Sequence, residues 1–123
     1  VLGVTANQLD ADRSRLGHLL ESFVYNELRR QASGACCDVR FYHYRDKDKV
    51  EVDIVMEESG GSIAAVEVKA SASVFDKDFR GLRKLRAAVG KDWKTGIVLY
   101  DGERILPFGE GMHAVPISAL WAK

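Results

Sequence analysis

The sequence predicts a mixed α/β fold in a single domain that spans residues 1–123. Apolar residues recur at helical spacing in two long segments, and polar and apolar residues alternate in the shorter segments around them. The resulting order is a helix, three strands, a helix, a strand and an extra C-terminal hairpin. This order is typical of a central mixed sheet flanked by two main helices, and 123 residues are enough to bury a real core.

The first half of the chain contains one helix and three strands. The helix is predicted from residue 10 to about residue 31, because leucines and Phe23 recur at helical spacing, and Gly34 follows its end. The strands are predicted over residues 38–44, 50–56 and 62–70. Charged residues connect the first two strands, and a Ser-Gly-Gly-Ser turn connects the second and third.

The second half begins with a helix from residue 75 to about residue 89, which Gly90 ends. An apolar strand follows over residues 95–100. The dipeptide Asp101-Gly102 is a strong signal for a two-residue hairpin, so residues 104–107 are expected to run back beside that strand. The last elements are a short strand over residues 113–115 and a terminal helical turn that starts near Pro116.

Composition limits the possible partners and the compartment. The formal net charge is zero, so no whole-molecule field draws the chain to nucleic acid or to an anionic membrane. No apolar run approaches the length of a membrane span. Cys36 and Cys37 are adjacent, which disfavours a disulfide between them, and we interpret them as reduced thiols of a cytoplasmic protein. Because the chain starts at Val1, we expect it to be a fragment that lacks an N-terminal partner domain.

The most informative pattern is formed by the charged residues of the second and third strands. Strict alternation places Glu51, Asp53 and Val55 on one face of the second strand, and it places Glu67 and Lys69 together on one face of the third. If the two strands pair, Asp53, Glu67 and Lys69 converge. Charged groups resist burial without partners, so such a cluster between apolar strand faces indicates a divalent metal site.

The first helix can add a further acid to this cluster. Glu21 lies at the edge of the apolar stripe, between Gly17 and Val24, where its carboxylate can reach over the sheet. Glu27 is a weaker rival in a similar position. The alternative interpretation of either residue is a surface salt bridge.

The residues Glu21, Asp53, Glu67 and Lys69, in this order on a helix and two strands, resemble the signature of the PD-(D/E)XK nuclease superfamily. This resemblance implies a restriction-endonuclease-like αβββαβ core. The family's name refers to a proline before the aspartate, and this chain has Val52 at that position.

A closer resemblance is to a domain of unknown function found at the C-terminus of predicted bacterial and archaeal AAA+ ATPases. It rests on local matches that run in order through nearly the whole chain. They are the segments Gly17 to Val24, Tyr42-His-Tyr-Arg45, Glu51-Val-Asp-Ile-Val55, Glu67-Val-Lys-Ala-Ser71, and Leu99-Tyr-Asp-Gly-Glu103 followed by Leu106 to Gly109. This resemblance implies an ATPase domain in the same longer chain. The present sequence has no phosphate-binding Gly-x-x-x-x-Gly-Lys loop, so we expect that ATPase domain to lie outside it.

The resemblance to the PD-(D/E)XK nuclease superfamily implies a metal-dependent hydrolysis of DNA phosphodiester bonds. Asp53, Glu67 and the Val68 carbonyl would hold Mg²⁺ or Mn²⁺, because these ions prefer hard oxygen ligands. Lys69 would position the attacking water or stabilise charge on the phosphate, and Glu21 would hold the metal indirectly or accept a proton. The alternative is an inherited fold in which the same residues form a partly buried ion-pair cluster.

The second helix carries the cations that could bind a nucleic-acid backbone. Lys77, Arg80 and Lys84 are three and four residues apart and so share one helical face. The simpler interpretation is the solvated outer face of an amphipathic helix. The three histidines, His18, His43 and His113, show no metal-ligand spacing and are interpreted as packing or surface residues.

Two functions from different classes therefore remain open. The chain is either a magnesium-dependent nuclease that acts on DNA, or a non-catalytic module. Such a module would dock an ATPase to nucleic acid, to a protein partner or to a second copy of itself.

Overall fold

The structure is a computed structural model that describes residues 6–34 and 38–120, with side chains from residue 17 onward. Cys36 and Cys37 lie outside the described residues. The elements, in chain order, are α1 (Ala6–Ser33), β1 (Val39–Arg45), β2 (Glu51–Glu58), β3 (Ile63–Lys69), α2 (Arg80–Val89), β4 (Trp93–Tyr100), β5 (Leu106–Pro107) and β6 (Met112–Pro116). Short 3₁₀ turns precede α2, follow α2 and follow β6.

All six strands belong to one mixed sheet with the order β1-β2-β3-β4-β6-β5. The β1–β2, β2–β3 and β5–β6 pairs are antiparallel, whereas the β3–β4 and β4–β6 pairs are parallel. The crossover from β3 to β4 passes through α2, as parallel neighbours require. The predicted mixed α/β class is confirmed. No helix in the described part of the chain is long and apolar enough to cross a membrane.

Each face of the sheet packs against one helix. The α1-side core contains Val24 of α1 together with Ile54, Val66 and Leu99 of the sheet. The α2-side core is larger and is formed by Val52, Val55, Ile63, Ala65, Phe79, Leu82, Leu85, Val98, Tyr100, Met112 and Ala114. These two apolar layers determine which side of the sheet each polar strand residue occupies.

Strand β2 contains one extra residue relative to β1. Tyr42 pairs with Val55, but Tyr44 pairs with Val52, so three steps along β2 match two steps along β1. This irregularity has the geometry of a β-bulge, which locally breaks the alternation of side chains. The prediction that Asp53 and Val55 share a face is therefore wrong. Val55 belongs to the α2-side core, whereas Asp53 lies toward α1.

The predicted hairpin at Asp101-Gly102 is wrong in its pairing. Residues 106–107 pair with β6, and β6 itself occupies the edge of β4, in parallel. The reason is burial: β6 contributes Met112 and Ala114, both fully buried, whereas Ile105 remains 64% exposed. The turn between residues 109 and 111 instead forms the β5–β6 hairpin, with Phe108 N–H donating to Met112 O at 3.0 Å.

The second helix ends at the predicted residue, but its predicted start is only partly correct. A 3₁₀ turn over Asp76–Phe79 precedes the α-helix proper, which begins at Arg80. Gly90 follows the helix with a φ of 60°, a conformation that glycine adopts without steric cost. The predicted C-terminal helical turn is a 3₁₀ turn over Ile117–Leu120.

Candidate functional site

Strands β2 and β3 diverge at the point where their carboxylates stand. The regular pairing ends with Ile54 opposite Val66. Beyond that pair, the Asp53 N–H donates to Glu67 Oε1 at 2.8 Å, and the Val68 N–H donates to Asp53 Oδ2 at 2.9 Å. Each carboxylate thus bonds a backbone amide of the opposite strand. The sequence prediction that Asp53 and Glu67 come together is confirmed by this contact.

Glu21 of α1 completes a group of three acids. It lines a cleft of about 290 Å³ between α1 and β2, together with Ser22, Tyr25, Asn26, Asp53 and Ile54. Its rival from the sequence, Glu27, is engaged elsewhere: it pairs with Arg30 and accepts a hydrogen bond from Gln31 at 3.2 Å. The structure therefore favours Glu21 as the acid that α1 contributes.

The three acids retain protons more strongly than ordinary carboxyl groups. Burial and then the charge of Asp53 raise the pKa of Glu21. Burial raises the pKa of Asp53 against the opposing hydrogen bond from Val68. Burial, followed by the charge of Asp53, raises the pKa of Glu67 to about 8, and Glu21 and Glu51 add to this rise. Clustered acids that repel one another in this way are typical of functional sites.

Three residues that the sequence analysis did not place in a site lie close to these acids. The charges of His18 and His43 lower the pKa values of Glu21 and Asp53, whereas the charge of Glu51 raises them. His43 Nε2 is 3.9 Å from Glu51 Oε1. The sequence spacing of His18 and His43 could not predict this proximity. The two histidines are on α1 and β1, and only the packing of α1 over β1 and β2 brings them near Asp53.

The predicted convergence of Lys69 with the two carboxylates does not occur. Lys69 Nζ pairs with Asp78 Oδ2 at 2.5 Å and lies 5.1 Å from the centre of the Phe75 ring. Within the described side chains, Lys69 makes no ion pair with Asp53 or Glu67. The register pairs it with Tyr100, which belongs to the α2-side core, whereas Asp53 lies toward α1.

Asp78 is well suited to hold this lysine. Its Oδ2 also accepts a hydrogen bond from the Phe75 N–H at 2.7 Å, at the start of the 3₁₀ turn. Burial raises the pKa of Asp78, but the hydrogen bonds from Lys69 and Phe75 outweigh it and hold the pKa below its usual value. Lys69 therefore pairs with a fully ionised acid that is fixed by the backbone.

The carboxylate oxygens of Asp53 and Glu67 are the kind of ligand that a hard divalent cation prefers. No group of three or more His, Cys, Asp or Glu side chains among residues 17–34 and 38–120 has the spacing to hold a metal by itself. Magnesium, however, is usually held by one or two carboxylates and keeps several waters. Asp53 and Glu67 are two carboxylates held close together by hydrogen bonds from backbone amides, and they form a donor set of that kind.

The predicted cationic stripe on the second helix is interrupted. Lys77 belongs to the 3₁₀ turn, so Lys77 and Arg80 are not separated by a turn of α-helix. Lys84 Nζ is 3.1 Å from Asp48 Oδ2 and 3.7 Å from Asp46 Oδ2, both in the β1–β2 turn. Lys84 is thus largely neutralised, and a role of Lys77, Arg80 and Lys84 in nucleic-acid binding remains a prediction.

Fold and site together define an α/β domain with a carboxylate cluster where two central strands diverge. The model of the family described as Domain of unknown function (DUF4143) matches residues 16–120. The chain belongs to this family. No curated protein and no solved structure matches the chain.

Proposed function

We propose that this domain hydrolyses DNA phosphodiester bonds with the help of Mg²⁺ or Mn²⁺, as a nuclease-like module attached to an AAA+ ATPase. The observation that carries the proposal is the reciprocal contact between Asp53 and Glu67, in which each carboxylate bonds the other strand and both have raised pKa values. Two acids are fixed at one point, next to Glu21, without a cationic side chain paired to them in the described part of the chain. A divalent cation bound there would displace the proton that Glu67 retains and would compensate the charge of both carboxylates.

The residues of the chain have separate roles in this proposal. Asp53, Glu67 and the Val68 carbonyl would hold the ion, which when bound supplies an acidified water and charge stabilisation for the phosphate. Their hydrogen bonds to the opposite strand fix the orientation of both carboxylates, as the outer contacts of metal ligands do in general. Glu21 faces the same cleft and would accept a proton from the attacking water.

The test compares two site variants with a matched surface variant. Asp53→Asn and Glu67→Gln remove one negative charge each and keep the shape of the side chain. Glu58→Gln makes the same change at the far end of β2, where Glu58 pairs with Lys94 at 3.0 Å. The measurements are the shift of the melting temperature with Mn²⁺ and the rate of cleavage of a DNA duplex.

We expect Mn²⁺ to stabilise the parent protein and Glu58→Gln, because an ion that binds only the folded state raises its stability. Loss of even an outer partner of a metal ligand costs about 10- to 100-fold in affinity or activity, so Asp53→Asn and Glu67→Gln should lose at least that much. Equal Mn²⁺ shifts in all four proteins, or no cleavage by the parent, would overturn the proposal.

A second candidate function is a non-catalytic module that docks the ATPase to nucleic acid or protein. The observation that favours it is the engagement of Lys69 by Asp78, which leaves the predicted water-positioning residue outside the carboxylate site. In this case the parent binds Mn²⁺ and DNA but does not cleave, and Asp53→Asn changes stability without changing any reaction.

A further inference from the structure

We propose that Arg45 and His43 of strand β1, and not Lys69, contact the phosphodiester backbone of the substrate at the carboxylate cluster. This inference rests on the proposed function and assigns the cationic side of the same site.

Alternation along β1 places both residues on the face that bears Asp53. Phe41 packs on the α1-side core and Tyr44 on the α2-side core. Side chains two residues apart share a face, so His43 and Arg45 lie on the α1 side with Phe41. The extra residue of β2 turns Asp53 to that side as well, whereas without it Asp53 would be on the face of Val55.

Glu51 connects the two side chains to the acidic cluster. Its Oε1 is 3.5 Å from Arg45 Nε and 3.9 Å from His43 Nε2. The side chains of Arg45 and His43 are 59% and 52% exposed, so each can contact a ligand while it remains near Glu51. A charge on His43 opposes the rise that burial causes in the pKa values of Asp53 and Glu21, in keeping with the position of His43 on the same face of the sheet.

The chemistry of the cluster requires a cation at this position. The acids Glu21, Glu51, Asp53 and Glu67 repel a phosphodiester, and Lys69 is held by Asp78. A guanidinium remains charged at all physiological pH values and binds phosphate oxygens in a forked geometry, and an imidazole supplies a further N–H donor. On strand β1, Arg45 and His43 are therefore groups that can bind a phosphate on the face of the sheet that bears Asp53.

The sheet leaves this flank open to a large substrate. Strand β1 is one of the two edge strands of the described sheet, and the other edge is formed by β5. A polymer that runs along β1 can place one phosphate near Arg45 and reach the cleft between Glu21 and Asp53. The site thus fits a nucleic-acid backbone better than a small phosphate ester enclosed in a pocket.

The experiment measures binding of a fluorescein-labelled DNA duplex by anisotropy at several salt concentrations, with Ca²⁺ present to support binding. The variants are Arg45→Gln, His43→Gln and Glu51→Gln, and Lys69→Gln is the matched control that also removes one positive charge. The melting temperature of each variant is recorded to confirm that it folds.

Arg45→Gln should weaken binding by about tenfold, the size of a lost charge-assisted hydrogen bond. It should also reduce the slope of log affinity against log salt by about one, because one phosphate contact is lost. His43→Gln should weaken binding by a smaller factor. Glu51→Gln should tighten binding, because it removes a competing anion, and Lys69→Gln should leave both affinity and salt slope unchanged.

The inference and the proposed hydrolysis fail in different ways. A parent that binds DNA through Arg45 but does not cleave it overturns the hydrolysis and retains the assignment of the cationic side. A parent that does not bind DNA overturns the assignment. An equal or larger loss in Lys69→Gln than in Arg45→Gln overturns it as well, because the substrate would then lie on the lysine's side of the sheet.

Discussion

At the scale of single residues, Glu67 has the most unusual environment in the site. Burial and the charge of Asp53 raise its pKa to about 8, from an ordinary value of 4.5 for a glutamate side chain. Between these two pH values the folded protein keeps a proton that the unfolded chain has already released. The free energy of unfolding therefore decreases as the pH rises through this window, since stability falls where the folded state binds more protons.

We predict that Glu67→Gln removes much of this pH dependence. Glutamine has no charge to bury, and its side-chain oxygen can still accept the Asp53 N–H. In the parent, each pH unit between about 5 and 8 should cost at most about 1.4 kcal/mol of unfolding free energy. Urea unfolding at both ends of this range measures the slope. Glu58→Gln should keep the parent's slope, and an equally steep slope in Glu67→Gln would contradict the pKa assignment.

At the scale of elements, the position of the site depends on how closely α2 packs on β2. Gly81 lies near the start of α2, directly over the Glu51 carbonyl, and a Cβ at this position would collide with that backbone oxygen. The absence of a side chain at Gly81 allows Leu82 and Leu85 to reach the α2-side core. Gly17 of α1 differs, because a Cβ added there meets nothing within 4 Å.

We predict opposite effects of alanine at these two glycines. Gly81→Ala should destabilise the fold by about 1–3 kcal/mol, the usual cost of overpacking, because neither backbone can yield without moving an element. Gly17→Ala should stabilise it by about 0.5–1 kcal/mol, because alanine loses less entropy in a helix. Chemical denaturation measures both. A neutral Gly81→Ala would show that α2 does not approach β2 as closely as described.

At the scale of the whole molecule, the position of β6 between β4 and β5 is the main departure from the predicted topology. Met112 and Ala114 fill the α2-side core under β4, and Gly96 faces the sulfur of Met112, where a Cβ would lie only 2.9 Å from it. After β4, the chain first forms β5 at the edge of the sheet. It then turns back as β6, which pairs with both β4 and β5. The predicted two-residue hairpin does not form, because β6 buries more apolar surface against β4 than residues 104–107 would.

We predict that Met112→Ala destabilises the protein by about 2–5 kcal/mol, the range for a buried methionine that leaves a cavity. The control is Ile105→Ala, whose side chain is 64% exposed and which should change stability by less than about 0.5 kcal/mol. Thermal or urea unfolding compares the two variants. The reverse order of costs would support the hairpin in which residues 104–107 pair with β4.

The part of the fold that depends on local spacing was predictable. The helix of α1, strands β1 to β4 and the end of α2 at Gly90 follow from periodicity and from glycine chemistry, which act within a few residues. The meeting of Asp53 and Glu67 was predictable for the same reason, because a short turn joins β2 to β3 and fixes their neighbourhood.

The sequence by itself therefore determined the class of fold, the elements and the two strand carboxylates of the candidate site. Only the tertiary structure decided that Asp53 turns toward α1, that Lys69 pairs with Asp78, and that β6 lies between β4 and β5. The physical reason is that these features result from competition between partners distant in the chain. A bulge, an ion pair or a strand neighbour depends on the burial and the charges in the assembled sheet. The spacing of residues within one segment does not predict these features.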